Sequence, residues 1–474
     1  MALAEATAPQ TETAPSEPIA RTLARFARSL TLDDVPEAVV ERAKLHILDA
    51  VGIGLAASRY DFSHKTLTAI HGLAGDGAYP VIGMPARLPL RDAAQMNGFL
   101  IHGLDYDDTH VGGVIHATTS AVPTVLAAGQ RHGASGREML EAYLVAIEGA
   151  ARIAAAAQGG FHRLGFHPTG MVGVFGAALA AGRLAGMTEA QLAHAQGIAL
   201  SMASGSLQFL DDGAWTKRMH PGWAAVAGIS AAALAQQGFR GPAEPYEGRF
   251  GLYALYGAHD AEIDWATCTA GLGEDWEMLR IGIKPYPACH LVHALGDAAQ
   301  ALRDEHGLVP ADVESVDALI GEGCVSVVCE PEAAKRRPAS AYEAQFSAHY
   351  MIASVLERGR FTLAELEPEA YTDPSVLALC DKVSYRVDPD SAFPTYYSGE
   401  VAIRTTDGRT LRHREQVNRG ADTRPLSADE IVAKYRDNAA MALAPDRAER
   451  ALDAVMALDG NATPAEVAAL LSLA

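Results

Sequence analysis

The chain has 474 residues, of which 49% are hydrophobic, and this is enough for two or three domains with sizeable cores. Its 38 Lys and Arg residues stand against 58 Asp and Glu residues, which gives a formal net charge of −20. This balance argues against nonspecific binding to nucleic acid or to an anionic membrane, since both require a broad basic surface. The five cysteines lack the paired spacing of a zinc site, so we expect reduced thiols and a cytoplasmic protein.

The first predicted elements are a tail and a helical domain. Residues 1–18 are rich in Ala, Thr, Pro and Glu and lack the basic and apolar regions of a secretory signal, so we expect a disordered tail. Residues 19–278 carry apolar residues at spacings of three and four, which predicts helices. Thr188 with Gln191 forms a capping-box pattern, and Pro221 is placed where a first helical turn would begin. The apolar runs are too short to cross a bilayer.

The second half of the chain changes character. Residues 279–422 contain stretches such as "VESVDALI" and "KVSYRV" that alternate apolar and polar residues, and Asp407-Gly408 is a strong hairpin signal. This pattern predicts a smaller α+β domain. Residues 423–474 return to helical periodicity, with Ser427 and Thr463 as N-caps, and we expect them to fold back onto the first domain.

Four segments place basic or imidazole side chains beside a predicted helix start: "VIHATTSAVPTV", "LGFHPTGMVGVFG", "TKRMHPGWAAVAG" and "IKPYPACHLVHALG". Free backbone N–H groups and the positive end of the helix dipole favour an anion there. For any one segment, a structural cap or a buried core histidine is the commoner explanation. Together, the four could surround a polyanionic substrate with these side chains: His116, His167, Lys217, Arg218, His220, Lys284 and His290.

A fifth stretch, "HGLDYDDTHVGGVIH", adds carboxylates. If it begins as a helix, His102, Asp105 and Thr109 share one face, and Asp107 and Asp108 point elsewhere. Helix-end capping is the plainer alternative. A Mg²⁺ site of the all-helical prenyl type would need a second acidic cluster, and no histidine pair has the spacing of a helical zinc motif, so we expect no metal.

Taken in order, "NGFLIHGLDYDDTH", "GFHPTGMVGVFGAALAAGRLAGM", "DGAWTKRMHPGWAAVAG" and "KPYPACHLVHA" resemble the MmgE/PrpD family. The resemblance implies a mainly α fold, in which both chain ends build a large all-helical domain and a smaller α+β lid domain is inserted between them. It also implies a homodimer and no metal or organic cofactor. One departure is Ala117, since the family often has proline directly after the histidine matched here to His116.

The resemblance also implies the site residues. The family's active-site motifs match six positions of this chain: Asp105, Thr109, His116, His167, Lys217 and His290. We expect Lys217 and His167 to bind substrate carboxylates, His116 or His290 to transfer a proton at carbon, and Asp105 to orient or charge a histidine. Lys284 and Thr109 are expected to help bind the substrate.

The substrate expected from the resemblance is a small di- or tricarboxylic acid. Proton transfer next to a carboxylate builds negative charge on that group, and preplaced cations lower this barrier. The same residues serve dehydration, decarboxylation or epimerisation. We expect a lyase of the 2-methylcitrate dehydratase type, with cis-aconitate decarboxylase and iminodisuccinate epimerase activities as alternatives. A noncatalytic carboxylate-binding dimer is the alternative from another class.

Overall fold

The computed structural model describes residues 16–211, 213–257 and 262–474. Most of these residues are helical, so the expected mainly α fold class is confirmed. The first helix begins at Ile19, and the tail predicted for residues 1–18 lies almost wholly outside the described residues. Within the described part of the chain, no helix is long and apolar enough to cross a membrane.

The described residues up to Gly282, called here the first part of the chain, form eleven α-helices and four short strands. Two-stranded antiparallel ribbons pair β1 (Tyr79–Pro80) with β2 (Arg87–Leu88), and β3 (Thr109–His110) with β4 (Ile281–Gly282). The helices are α1 (Ile19–Ser29), α2 (Glu37–Ala57), α3 (Asp61–Ala74), α4 (Leu90–Ile101), α5 (Thr118–His132), α6 (Gly136–Ala156), α7 (Gly160–Arg163), α8 (Pro168–Leu184), α9 (Glu189–Leu200), α10 (Thr216–Gln236) and α11 (Leu252–Tyr256).

The second part of the chain, residues 283–474, contains a four-stranded sheet and ten α-helices. The sheet has the order β6-β5-β7-β8, in which β5 pairs parallel with β6 and antiparallel with β7. Its strands are β5 (Val313–Ile320), β6 (Val383–Val387), β7 (Gly399–Thr405) and β8 (Thr410–Glu415). The helices are α12 (His293–His306), α13 (Glu322–Val328), α14 (Glu332–Arg336), α15 (Ala341–Gln345), α16 (Ala348–Arg358), α17 (Pro368–Tyr371), α18 (Pro374–Cys380), α19 (Ala428–Ala440), α20 (Pro445–Met456) and α21 (Pro464–Leu471).

The central helix of the first part is α8, which is buried from Pro168 to Gly182. It packs against α6, α10, α5 and α9, and its sequence is apolar all round, as expected for a helix surrounded by others. Alanine and glycine dominate it, so the neighbouring helices approach closely. This core holds the ends of α4, α8 and α10 at fixed positions beside one another.

The sheet is covered by helices on one face. Val316, Ala318 and Ile320 of β5 are buried in alternation with more exposed residues, the pattern of a strand with one face on a core. Helix α12 packs on β7 and β8, and α16 packs on β6. The predicted turn at Asp407-Gly408 lies between β7 and β8, and Gly408 has φ +88°, a value that glycine adopts without strain.

The last three helices return to the first part of the chain. Helices α19 and α20 pack against α2, and α21 packs against α5. The predicted caps at Ser427 and Thr463 are confirmed, because each side chain accepts a hydrogen bond from the backbone three residues on. The helix start predicted at Pro221 is wrong: α10 begins at Thr216, and its packing against α4 and α8 tolerates an internal proline.

Helices α4 and α10 cross with their backbones in contact at two glycines. A Cβ built on Gly222 would lie 2.2 Å from the backbone oxygen of Gln95, and one built on Gly98 would lie 2.7 Å from the Cα of Gly222. Both contacts are with backbone atoms, so no side chain can move aside. This crossing sets the distance between the end of α4 and the first turn of α10, where several of the candidate site residues lie.

We predict that Gly222→Ala lowers stability by roughly 1–3 kcal/mol, because the added methyl forces α4 and α10 apart. Gly72→Ala in α3 is the matched control, since a Cβ there has no atom within 4 Å and alanine favours a helix. Thermal unfolding of both variants measures the difference. A Gly222→Ala protein as stable as Gly72→Ala would contradict this account of the crossing.

Candidate active site

The segment that follows α4 carries the first group of candidate residues. Helix α4 ends before His102, and the chain continues through turns. The predicted helical face of His102, Asp105 and Thr109 is therefore wrong. Asp105 has φ +53°, in the left-handed region that Asp tolerates better than most residues, and such a residue ends a helical course.

Asp105 is the meeting point of two lysines. Its Oδ1 accepts hydrogen bonds from Lys217 Nζ at 2.7 Å and from Lys284 Nζ at 2.9 Å, and Lys284 also donates to the Asp105 carbonyl oxygen at 2.9 Å. Burial alone would raise the pKa of Asp105, but attraction to Lys217 and Lys284 outweighs it and holds this pKa below its ordinary value. Attraction to Asp105 likewise outweighs the burial of Lys217 and raises its pKa.

This ion cluster, Asp105 with Lys217 and Lys284, has two ammonium groups and one carboxylate, so it carries a net charge of +1. It borders a small cleft to which segments from both parts of the chain contribute. Arg218, the next residue along, serves a different purpose: it donates to the Gly103 carbonyl oxygen and stacks on Phe62. The residues that line the cleft are His102, Gly103, Asp105, Ala214, Lys217, Arg218, Tyr342 and Gln345.

Three histidines lie together beside the ion cluster. The ring centroids of His102 and His116 are 4.9 Å apart, and His167 lies 5.7 Å and 5.9 Å from them. Thr109 Oγ1 is 3.3 Å from His116 Nδ1. The structure thus brings Thr109, His116 and His167 together with His102, as the sequence predicts for the first three.

Asp107 and Asp108, expected to point away from the site, are both buried. Asp107 Oδ2 accepts from His102 Nδ1 at 3.0 Å and lies 3.1 Å from His116 Nδ1, whereas Asp108 Oδ2 faces His46 Nδ1 at 2.8 Å. Burial alone would raise the pKa of Asp107, but attraction to His102 and His116 holds it well below its ordinary value. The ionised carboxylate of Asp107 is therefore shared by the imidazoles of His102 and His116.

His167 directly precedes α8, and Pro168 takes the first helical position. Its Nδ1 lies 2.9 Å from Nδ1 of His220, so one of these nitrogens donates and the other accepts. Burial, followed by the nearby His102 and Lys217, holds the pKa of His167 well below its ordinary value. His167 is thus a neutral imidazole at the edge of a cationic site.

His290 contacts a different set of side chains from the three histidines. It hydrogen-bonds Asn418 through Nε2 at 2.9 Å, and its ring packs 5.1 Å from that of Tyr397. Burial, with a smaller contribution from Lys284, lowers the pKa of His290 to about 3. This residue begins the turn that leads into α12.

Two side chains of the second part hold the site's loops together. Lys434 of α19 donates to the carbonyl oxygens of Tyr106 at 2.8 Å and Lys284 at 2.9 Å, and its Nζ lies 2.8 Å from Asp49 Oδ1. Gln345 of α15 donates to the carbonyl oxygens of residues 104 and 287 at 2.7 and 3.0 Å. Both side chains are buried and join chain segments more than 100 residues apart.

Sequence reasoning missed several of these residues. The acidic stretch contains Asp107, but the predicted orientation of Asp107 depends on a helix that does not form. Lys434 and Gln345 carry no chemical signal in their own segments, and only the tertiary fold gives each a role. The sequence places His102 on a helical face, whereas in the structure it lies in the turn that follows α4.

A mainly helical fold that buries imidazoles, ammonium groups and carboxylates around one cleft is suited to acid and base chemistry on a small anionic substrate. The chain belongs to the MmgE/PrpD family: residues 21–264 match the MmgE/PrpD N-terminal domain, and residues 286–460 match the MmgE/PrpD C-terminal domain. The family assignment made from the sequence motifs is thereby confirmed.

Curated relatives match the chain over nearly its whole length. The cis-aconitate decarboxylase-like protein oryM of Aspergillus oryzae is 26% identical, over 98% of this chain and 99% of its own. The cis-aconitate decarboxylase of Mus musculus is 28% identical, over 93% of this chain and 91% of its own. The cis-aconitate decarboxylase of Aspergillus terreus is also 28% identical, over 92% of both chains.

We predict that Lys434→Met costs about 3–5 kcal/mol of stability, because it leaves Asp49 buried without a cation and frees two carbonyl oxygens. Adding Asp49→Asn should recover part of this loss, so a double-mutant cycle followed by urea unfolding gives a large coupling energy. The exposed pair Asp61 and Lys65 is the matched control, with an expected coupling of about 0.5 kcal/mol or less. Equal coupling in the two cycles would contradict the positioning role of Lys434.

Proposed function

We propose that this chain is a carboxy-lyase that decarboxylates cis-aconitate, or a close tricarboxylate analogue, without a bound cofactor. The observation that carries the proposal is the ion cluster of net charge +1 set directly beside three buried imidazoles. The relatives named above are decarboxylases, so we place decarboxylation ahead of the 2-methylcitrate dehydration predicted from the sequence.

The ion cluster supports recognition of carboxylates. Asp105 neutralises one of its two lysines, which leaves one positive charge for a substrate carboxylate. Lys217 lines the cleft, and Lys284 lies behind it with a nearly buried side chain. A cation in a partly buried cleft interacts with an anion more strongly than one on an open surface, because less water screens it. We assign the substrate carboxylates to Lys217 and to His167, the two residues expected from the sequence to bind them.

The reaction requires loss of CO₂ and addition of one proton. The C–C bond to the carboxylate on the saturated carbon of cis-aconitate breaks, and its electron pair moves into an allylic carbanion that a second carboxylate stabilises as an enediolate-like group. A proton then adds at the other end of the allylic system, giving a five-carbon dicarboxylate with a terminal double bond. Lys217 stabilises the enediolate-like charge as it develops.

His116 is the residue that we assign to the proton transfer at carbon. Its Nδ1 lies against Asp107 Oδ2 and the Asp108 carbonyl oxygen, so an imidazolium there has an ionised carboxylate beside it. A carboxylate on one ring nitrogen orients the ring and stabilises its protonated form. Within the described part of the chain His290 has no carboxylate partner, and its pKa of about 3 keeps it neutral, so we assign it to a supporting position.

We also propose the domain arrangement predicted from the sequence, with residues 279–422 acting as a lid over the domain formed by residues 19–278 and 423–474. The cleft is walled by Tyr342 and Gln345 on one side and by His102 and Lys217 on the other, so a substrate enters only if the two sides separate. A larger groove on the surface shares Tyr342 with this cleft and offers a route.

A homodimer is part of the same proposal. Helix α10 exposes large apolar side chains along one face, among them Met219, Trp223 and Leu234, which are 41, 43 and 40% exposed. Such a stripe on one helix is typical of a subunit interface. In such a dimer, the interface would lie close to the first turn of α10, which carries Lys217.

We predict that the purified protein releases CO₂ from cis-aconitate in the presence of EDTA. The measurement follows CO₂ release and the product's NMR spectrum, with 2-methylcitrate, citrate and iminodisuccinate as competing candidates. Water loss from 2-methylcitrate without CO₂ release would replace the proposed reaction with dehydration. Saturable binding of cis-aconitate with no turnover would support a noncatalytic carboxylate-binding protein instead.

We predict that Lys217→Ala and His116→Gln each reduce kcat/KM by more than about tenfold, a loss of at least ~1.4 kcal/mol of transition-state stabilisation. His290→Ala should have the smaller effect of the two histidine changes. Lys65→Ala removes an exposed lysine of α3 and is the control, with activity close to wild type. Activity of the Lys217→Ala protein within tenfold of the control would contradict the assigned role.

A further inference from the structure

We propose that His102, His116 and His167 form a binding site for Zn²⁺, and that zinc bound there inhibits the enzyme. One ring nitrogen of each histidine lies within 4.8 Å of one from each of the others. The three residues come from the end of α4, the loop before α5 and the start of α8. Because the three histidines are far apart in the sequence, they do not form the closely spaced histidine pair of a helical zinc motif.

The second nitrogen of each ring is already engaged in the way metal-binding histidines require. His102 Nδ1 donates to Asp107, His116 Nδ1 lies against Asp107 and the Asp108 carbonyl oxygen, and His167 Nδ1 pairs with His220. Histidine ligands in proteins usually carry such a partner, which fixes the ring and leaves the other nitrogen for the metal. The three rings therefore present their Nε2 atoms.

An unpartnered nitrogen is the independent sign of a missing ligand. Among the described residues, His102 Nε2 is buried and has no hydrogen-bond partner. Leaving a buried polar group unpaired costs about 1–3 kcal/mol, so a site that keeps one is suited to binding something there. His102 also lines the cleft, so the group that satisfies its Nε2 can enter by the same route as the substrate.

The donor set selects the ion. Three imidazoles suit Zn²⁺ and the neighbouring transition metals, whereas Mg²⁺ and Ca²⁺ prefer oxygen ligands, which this triad lacks. The carboxylate of Asp107, which contacts the rings of His102 and His116, lies next to the bound cation and orients two of its ligands.

The geometry also limits the affinity. Zinc bound tetrahedrally at about 2.0–2.1 Å from each nitrogen brings the nitrogens to roughly 3.3 Å from one another, so the rings close inward on binding. Lys217 repels the ion from one side. We therefore expect an exchangeable zinc rather than a resident structural one, with the fourth position open to water or to a carboxylate in the cleft.

Inhibition rests on the proposed function, because zinc on His116 occupies the nitrogen assigned to proton transfer and zinc on His167 disturbs the carboxylate position. Binding does not rest on it. The test uses protein treated with EDTA and dialysed, titrated with Zn²⁺ by calorimetry and with Co²⁺ by visible absorption, in the absence of any substrate.

We expect one saturable Zn²⁺ per chain and the visible bands of tetrahedral Co²⁺ with nitrogen ligands. His102→Gln and His167→Gln should each weaken zinc binding at least tenfold, and Asp107→Asn should weaken it about 10–100-fold through the ligands that it orients. Two control variants should bind as wild type: Cys289→Ser, which removes the thiol next to His290, and His306→Gln, which removes an exposed histidine.

Several outcomes overturn the proposal. These are no saturable binding, binding that survives loss of both histidines, or a thiolate-to-cobalt band in the near ultraviolet that disappears in Cys289→Ser. The Co²⁺ spectrum of the wild type keeps the test decisive if a histidine variant fails to fold. Zinc binding in a protein that decarboxylates none of the acids would leave the site standing and the proposed function rejected. Decarboxylation of one of these acids by a protein that binds no zinc would support the proposed function and reject the zinc site.

Discussion

The contact on which the site depends is the shared carboxylate of Asp105. It joins three segments that are distant in the sequence: the turn after α4, the first turn of α10 and the loop after β4. Two buried lysines would repel one another without it, and a buried charge left unpaired is among the most costly features a protein can contain. Because the cluster keeps a net positive charge, the ions that hold these segments together also favour an anionic ligand beside them.

The charge state of the neighbouring histidines depends on this arrangement. Lys217 and the low polarity of the interior both disfavour a positive charge on nearby imidazoles, so His102 and His167 stay neutral. Asp107 works against this tendency at His102, whose Nδ1 donates to it. The same carboxylate also contacts the ring of His116, so one acidic side chain orients two imidazoles of the site.

Much of the fold could be predicted from the sequence, because helical periodicity, capping residues and the Asp407-Gly408 turn are local signals. The predicted helix over the start of "HGLDYDDTH" failed because Asp105 takes a left-handed conformation, and the pairing of β3 with β4 together with the two lysines holds that turn in place. Pro221 was misplaced for a related reason, since the packing of α10 overrides a local breaker. Of the candidate residues named from the motifs, Asp105 and Lys217 line the cleft, and His116 and His167 lie close to His102, which lines it as well. The roles of Asp107, Lys434 and Gln345 depend on contacts across more than one segment, which no local pattern encodes.

Acid-base chemistry and affinity for soft metals have the same origin in this site. An imidazole that is to exchange a proton near neutral pH needs one nitrogen fixed by a partner and the other left open toward the substrate. These are also the features of a zinc ligand. Three such rings in one pocket would form a permanent metal site if nothing opposed it. The lysines oppose it, because a divalent cation beside Lys217 meets repulsion that a carboxylate does not. In the proposed function, the ion cluster would therefore bias the competition for the same nitrogens toward an anionic substrate and away from a metal.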